Sequence, residues 1–551
     1  MLLLALAWLA GALAALLAWH AAAPVHRWRL RGIPGPRPVP LLGNLPQLAR
    51  RGRMAALHAW AAEYGPIFKA RAAESAFASS PLTLALAQMW LGCTPVVVVA
   101  DVAGLRELCV TRASAFPARH LPKSSLPASS AAARGVPLSL VWAAGPAWRA
   151  LRTALAPLFA PPALAAAQPL IRASAAELAS VALAAAEADP SAEVDVLALL
   201  SNFTLDVVSG SVLGAHAHAQ KAAAAGGGAA PLAASTAALF ESLEPVTGDG
   251  RLNDPWAALA MLTPALLAPL WRAAACLAPA AAVCRLQAAD ESVRATAREM
   301  LADTRARLDF GRDVDAAPAT VCSLLAGPAG AAAALRHGSA PMSDESIVAQ
   351  AHTMLVAGIE TTASSTAHAI YLLARHPEAA ARVRAEADAG GPPVYAQAAL
   401  REAMRLIPAV SMLNRVAVSD DAVLRGHAIP RGTFVVGCLT PVLRDAALYP
   451  EPEAYRPERF LPGGADDADA ARMREMSPQL AWPVFGAGPR ACIGARLALA
   501  EGGEALSALF GAAHVALPPG APPLRIREGI TNAPAGGLRV RLARRKLSKT
   551  E

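Results

Sequence analysis

The sequence predicts a mainly α-helical globule with small β-sheets, preceded by a single transmembrane helix. Hydrophobic residues make up 55% of the 551 residues and charged residues only 17%, a balance that excludes an intrinsically disordered chain. Much of the apolar share is alanine, the strongest helix former. The chain also begins with an apolar run long enough to cross a bilayer. Its 46 Pro and 39 Gly follow no triplet period, which excludes a collagen-like fibre.

From Leu2 to Ala23 there is no Asp, Glu, Lys or Arg. At 1.5 Å per residue the run spans about 33 Å of helix, enough for the hydrocarbon core. Trp8 and Trp19 lie toward its ends, and Arg27, Arg29 and Arg31 follow it, so the bulk of the chain is expected on the cytosolic side. A cleaved signal peptide would begin with a basic region, whereas this segment begins Met1-Leu2-Leu3. The expected organisation is an anchor over 1–24, a basic, proline-rich hinge over 25–46 and one catalytic domain over 47–551. The run from Ile33 to Asn44 carries closely spaced prolines, which stiffen a spacer.

Fifty Lys and Arg against 42 Asp and Glu leave a net charge of +8, suited to anionic membrane surfaces or acidic protein partners. No basic stripe interleaved with aromatics marks a nucleic-acid interface. The seven cysteines, at 93, 109, 276, 284, 322, 438 and 492, are widely spaced without a CxxC pair. That argues against a disulfide framework and a structural zinc site.

Taken in order, the β-branched run Val96–Val99 reads as a strand, and Trp148 to Leu213 has helical apolar spacing. Lys221 to Ala238 is an Ala/Gly-rich stretch read as a mobile loop. Leu252 to Leu286 reads as helical pieces broken by prolines. Asp344 to Ala374 is the longest expected helix, with Ser343 as N-cap and acid in its first turn. Short strands return around Phe434-Val435-Val436, and Leu480 to Phe510 is a Gly-rich loop leading into a helix.

That last stretch holds the strongest chemical signal. Phe485-Gly486-Ala487-Gly488-Pro489-Arg490-Ala491-Cys492-Ile493-Gly494 places a cysteine just before a helix N-terminus, where backbone N–H groups and the helix dipole stabilise a thiolate. Glycines there let the backbone close around the sulfur. Such a cysteine can ligate haem iron, act as a nucleophile with a distant histidine, or be inert and buried.

The ten-residue pattern Phe-x-x-Gly-x-Arg-x-Cys-x-Gly resembles the haem-binding signature of the cytochrome P450 family at every fixed position. The resemblance implies the cytochrome P450 fold, with Cys492 as axial ligand of haem b, Phe485 packed beside it, Gly488 and Gly494 shaping the loop and Arg490 pairing with a propionate. Three further stretches are similar to family motifs and occur in the family's order. Ala357-Gly358-Ile359-Glu360-Thr361-Thr362 matches the acid–Thr pair of the helix over the haem. It implies Glu360 and Thr361 as a proton relay, with Ala357 and Gly358 facing the oxygen. Glu402-Ala403-Met404-Arg405 with Pro457-Glu458-Arg459-Phe460 implies a buried structural cluster of Glu402, Arg405 and Arg459. Spacing alone does not single this out, since Glu291/Arg294 and Glu453/Arg456 share it. Trp148 and Arg152 of Trp-x-x-x-Arg, and Arg415 after Pro408, match residues that contact propionates.

The chain departs from the family pattern in three places. Residues 69–89 look like an insertion, Gly390-Gly391-Pro392-Pro393 is a short bridge between helices, and Leu443 replaces a common histidine. Leu252-Asn253-Asp254-Pro255 and the closing segment from Gly529 to Leu542 look most like the clan of drug- and steroid-oxidising enzymes, thromboxane synthase and carlactone oxidases. The implied function is a membrane-anchored haem-thiolate monooxygenase of the endoplasmic reticulum. It would act on a lipophilic substrate with O2 and with electrons from an NADPH-dependent flavoprotein reductase. Two rivals share the haem: an isomerase or dehydratase acting on a fatty-acid hydroperoxide, and a non-catalytic haem or sterol binder.

Overall fold

A computed structural model describes residues 30, 32–37, 44–70, 96–119, 139–188, 193–226, 231–241, 282–309, 319–461, 478–529 and 531–545. The expected anchor, much of the hinge, most of the 69–89 segment and Leu252-Asn253-Asp254-Pro255 lie outside the described residues.

The main helices and strands used below are α1 (Arg53–Tyr64), β1 (Ile67–Ala70), β2 (Val96–Val99), α2 (Gly145–Leu155), α3 (Pro161–Ala188), β3 (Val194–Asp195) and α4 (Val196–Val208). They continue with α5 (Ala219–Gly226), α6 (Pro231–Glu241), α7 (Ala282–Asp309), α8 (Asp344–Arg375), α9 (Pro377–Asp388) and α10 (Val394–Leu406). The C-terminal third adds β4 (Met412–Val416), β5 (Phe434–Cys438), α11 (Ala495–Ala512), β6 (Ala513–Ala516), β7 (Ile526–Glu528), β8 (Asn532–Pro534) and β9 (Arg539–Arg544).

Helix α8 is the axis of the body. The Ser343 side chain accepts from the Ser346 N–H at its start, Asp344 and Glu345 face the positive end of the helix dipole, and Arg375 sits in the last turn, each favourable for that end. It packs against α4, α7, α10 and α11. Its run Glu360, Thr362, Ser364, Ser365, Thr366 and His368 is buried, an unusual load of polar groups for the centre of a fold. The His368 Nδ1–H donates to the Ile407 carbonyl at 3.1 Å, and burial pushes its imidazole down to about 4. Two described helical stretches, Pro161–Ala188 and Val196–Leu213, are long and apolar enough to cross a membrane. Ile171, Leu178, Leu200 and Phe203 on them belong to the core, which accounts for their apolarity.

The principal sheet has the order β1-β2-β5-β4, with β2 and β5 parallel and the outer pairs antiparallel. Val96–Val99 is buried at every position because β2 is covered on both faces. Val97 and Val99 join the large helical core, while Val96 and Val98 join Trp60 and Phe68 in a smaller one. An internal strand of this kind needs a continuous apolar run rather than alternation. A second sheet, β3-β9-β6, brings the C-terminal strand back to the start of α4.

The stretch Lys221–Ala238 departs from expectation. Its described residues, 221–226 and 231–238, lie in the helices α5 and α6 and not in a mobile loop. Alanine outweighs the local glycines as a helix former, and the turn into α5 is fixed from outside. Asp206 of α4 accepts from the backbone N–H groups of Ala219 and Gln220 at 2.6 and 3.1 Å. Asp206→Ala should therefore lower stability by about 1–2 kcal/mol, measured by urea unfolding, with loss of helical ellipticity preceding the main transition.

Candidate active site

The cysteine loop is shaped by two glycines and a neighbouring carbonyl. Gly486 and Gly488 have φ of 74° and 68°, a region that glycine enters without penalty. A Cβ on Gly488 would stand 1.9 Å from the Cys109 carbonyl oxygen, so no other residue fits there. The Ala491 N–H donates to the Gly488 carbonyl at 3.0 Å and the Cys492 N–H to the Phe485 carbonyl at 2.8 Å. Gly494 is the N-cap of α11. Cys492 lies deep among protein atoms yet keeps an accessible face. Burial pushes its thiol up, opposed by the Gly494 N–H and by Arg152 and Arg119. Phe485 meets Trp482 edge-on, with ring centroids 5.6 Å apart.

Four arginines converge on this loop. Arg490 donates to the carbonyls of Pro117 at 2.8 Å, Leu140 at 3.3 Å and Ala143, and its guanidinium lies 4.4 Å from the Trp148 ring centroid. Arg152 on α2 donates to the Ala491 carbonyl at 2.9 Å. Arg415 on β4, 2% exposed, donates to the Asn414 carbonyl. Arg119, which sequence reasoning missed, is set beside Arg415 by one isolated bridge between Ala118 and Val416. Such a bridge leaves no pattern in the sequence. Burial first, then Arg415 and Arg490, push Arg119 down to about 9. Burial, Arg415 and Arg152 push Arg490 down to about 10. No acidic side chain pairs with any of the four among the described residues. A cluster of desolvated like charges calls for an anionic partner.

Behind the loop lies a fully buried carboxylate. Arg405 grips Glu402 in a bidentate pair at 2.7 and 2.8 Å, and Arg459 reaches it at 3.4 Å. Arg405 also donates to the carbonyls of Leu443, Pro452 and Ala454, and Arg459 to those of Pro450 and Glu451. The Arg405 guanidinium stacks 5.0 Å from the centre of the Tyr449 ring, and the Tyr449 hydroxyl donates to the Ala481 carbonyl next to Trp482. The two sequence look-alikes pair elsewhere: Arg294 with Asp290, Arg298 with Glu291, Arg444 with Glu453 and Arg456 with Glu451.

The acid–Thr stretch sits mid-way along α8. Ala357 is exposed and Thr361 half-buried within an otherwise buried helix, so this side of α8 faces open space. Thr361 donates to the Ala357 carbonyl at 2.6 Å, the back-bond expected of a mid-helix threonine. A Cβ on Gly358 would meet Val208 at 2.8 Å. Glycine at that position therefore answers to the close approach of α4. Glu360 points away from Thr361, toward Arg527 and Thr531. Glu501 on α11 is a further acid that sequence reasoning missed. It is buried against Thr362, and burial pushes it up to about 8. An acid on an apolar helix face, nine residues after Cys492, was the available signal.

A family model described as Cytochrome P450 matches residues 84–537. The chain belongs to the cytochrome P450 family. Similar curated proteins include cytochrome P450 monooxygenase sphH of Aspergillus fumigatus, 36% identical over 224 residues, covering 37% of this chain and 40% of that one. Cytochrome P450 78A1 of Zea mays is 37% identical over 200 residues, covering 33% and 36%. Cytochrome P450 3A13 of Mus musculus is 37% identical over 170 residues, covering 29% and 32%. The matches thus span about two fifths or less of these relatives. Coming from a fungus, a plant and a mammal, they fix the family and not a branch of it.

Membership in the cytochrome P450 family implies haem b, and the residues present suit that group. Haem b carries two carboxylates and an iron that takes a thiolate. This cytochrome P450 offers an accessible cysteine and four arginines with no acidic partner among the described residues.

Two expectations follow for this cytochrome P450. Gly488→Ala should abolish haem incorporation, read as Soret absorbance per mole of folded protein, because the added methyl collides with the Cys109 carbonyl. Glu501 has its carboxyl raised from 4.5 to about 8, so the folded state holds a proton that the unfolded state has lost. That contribution is fully present below pH 4.5 and disappears as pH rises through 8. Glu501→Gln should flatten the decline of unfolding free energy across this window, measured by denaturant titrations at several pH values.

Proposed function

We propose that this protein is a membrane-anchored haem-thiolate monooxygenase. It places one atom of O2 in a lipophilic substrate and reduces the other to water. The observation that carries this reading is the accessible Cys492 beside four arginines, Arg415 buried and the others half-buried, that lack acidic partners among the described residues. Bound through Cys492, haem would supply the oxygen-activating redox chemistry.

The chain's own residues would divide the remaining tasks. Arg119, Arg152, Arg415 and Arg490 would hold the carboxylates, and Trp148 would keep Arg490 in place by stacking. Phe485 and the loop glycines would fix the sulfur. Thr361 and Glu360 would hold and move protons on the α8 side. Glu402, Arg405 and Arg459 are positioning residues, acting through the segment that carries Tyr449 and Ala481.

Electrons would come from an NADPH-dependent flavoprotein reductase docking on the cysteine side. Exposed Arg496 at the start of α11 lines a surface groove with Pro161, Leu164, Ala165 and Gln168, a basic point for an acidic partner. The apolar run over 1–24 supports single-pass insertion in the endoplasmic reticulum membrane, with the catalytic domain in the cytosol. A hydroperoxide isomerase would have no use for proton delivery to oxygen, and Glu360 next in sequence to Thr361, which lies on the open side of α8, therefore favours the monooxygenase.

The carbon monoxide difference spectrum of the reduced, membrane-expressed protein tests the reading. Wild type should show a thiolate-type Soret band and Cys492→Ser should lack it. Wild type should also oxidise NADPH with added reductase and O2. A band that survives in Cys492→Ser would sink the ligand assignment.

A further inference from the structure

We propose that the C-terminal hairpin β7–β8, through Arg527 and Thr531, positions the Glu360 carboxylate and so controls proton delivery to Thr361. This rests on the reading of Glu360 and Thr361 as a relay, and it assigns the control of that relay to a distant part of the chain.

Successive residues on a helix are about 100° apart and do not face each other. Glu360 and Thr361 follow this rule. The Thr361 hydroxyl donates its proton to the Ala357 carbonyl, while the Glu360 Oε1 accepts from Arg527 Nη2 and, at 2.9 Å, from the Thr531 hydroxyl. Glu360 is 8% exposed. A carboxylate so buried is held by what pairs with it, and the hairpin supplies Arg527 and Thr531 for that purpose. Arg527 keeps 16% of its side chain exposed, so it runs from the buried acid to the surface.

The hairpin itself is clamped. Arg53 of α1 donates to the Gly529 carbonyl at 2.7 Å and to Asn532 Oδ1 at 3.1 Å, and the backbone N–H groups of Arg53 and Met54 donate to Glu528. Asn532 donates to the Pro408 carbonyl at 2.8 Å. The acid's position is thereby tied to α1 and to Pro408.

Arginine does not give up its proton in proteins, so Arg527 is a positioning residue and not a proton donor. While Arg527 grips it, Glu360 stays ionised and accepts only. To carry a proton it must leave the guanidinium, and the Thr531 hydroxyl, which can donate or accept, remains as its second hold. With organic substrate RH the reaction balances as RH + O2 + NADPH + H+ giving ROH + NADP+ + H2O. When protons arrive out of order, the balance becomes O2 + NADPH + H+ giving H2O2 + NADP+.

The test uses the full-length holoprotein with NADPH and an NADPH-dependent flavoprotein reductase, in H2O and in D2O, without added organic substrate. NADPH oxidation, peroxide released per NADPH and the solvent isotope effect are compared among wild type, Glu360→Gln, Arg527→Gln, Arg527→Lys and Thr531→Val. The same variants and the Glu360→Gln/Arg527→Gln double variant are unfolded in denaturant. Arg527→Gln should slow NADPH oxidation by about a hundredfold, the lower end of what loss of a general acid costs, and should shift the isotope effect in step with Glu360→Gln. Arg527→Lys should restore both in part. The two stability losses should be less than additive in the double variant.

A purely structural role for Arg527 would lower stability or haem content and leave the isotope effect at the wild-type value, which overturns the proposal. Additive stability losses overturn it as well. If Glu360→Gln shifts the isotope effect and neither Arg527→Gln nor Thr531→Val does, this inference fails alone. If Glu360→Gln also matches wild type, the relay reading fails with it. Should Arg527→Gln lose haem, the isotope effects of Arg527→Lys and Thr531→Val decide between the same outcomes.

Discussion

A single buried carboxylate organises the cysteine side of this molecule. Glu402 has no access to solvent and satisfies two arginines, one of them through both oxygens. Those arginines direct their remaining donors to backbone carbonyls between Leu443 and Ala454. A stretch with little regular structure is thereby held as firmly as a sheet. Tyr449 passes the constraint on, stacking on Arg405 and bonding Ala481, from which Trp482 leads to Phe485 and the loop. Removing one partner of such a pair leaves a bare charge in the interior, which costs about 3–5 kcal/mol. The departure at Leu443 costs this network nothing, because Arg405 takes its carbonyl and not its side chain.

The second constraint is electrostatic. Four guanidiniums within mutual range would repel one another, and each has lost hydration. The chain answers with carbonyls from Pro117, Leu140, Ala143, Asn414 and Ala491, which solvate the cations without cancelling their charge. Cancellation requires anions, and a thiolate with two carboxylates supplies them. The same field that would hold a haem's propionates also opposes the burial penalty on Cys492. Binding of the group and ionisation of its ligand are therefore favoured by one set of residues.

How much of this could be read beforehand depended on whether the physics was local. The α8 cap, the Val96–Val99 strand and the glycine-bounded cysteine turn follow from neighbouring residues, so the sequence shows them. Glu402 and Arg405 are separated by one helical turn and equally visible, yet two other pairs with that spacing bind elsewhere, and only their place among the family motifs singled them out. Arg119 depends on one β-bridge, and Glu501 on which face of α11 meets α8. Neither is written locally. Lys221–Ala238 reads as low complexity, but the carboxylate of Asp206, from another helix, starts α5.

The α8 side carries the same lesson into function. A motif of adjacent residues invites the picture of two side chains working face to face, and helical geometry denies it. Thr361 looks into the open space beside Ala357, and Glu360 looks toward the hairpin. The acid is thus poised between the part of the fold where oxygen chemistry would occur and a C-terminal strand pair that reaches solvent. Arg53 ties that strand pair to α1. The cysteine loop and the Glu360 carboxylate are held by two different networks: one runs through Glu402 and Arg405, the other through Arg527, Thr531 and α1.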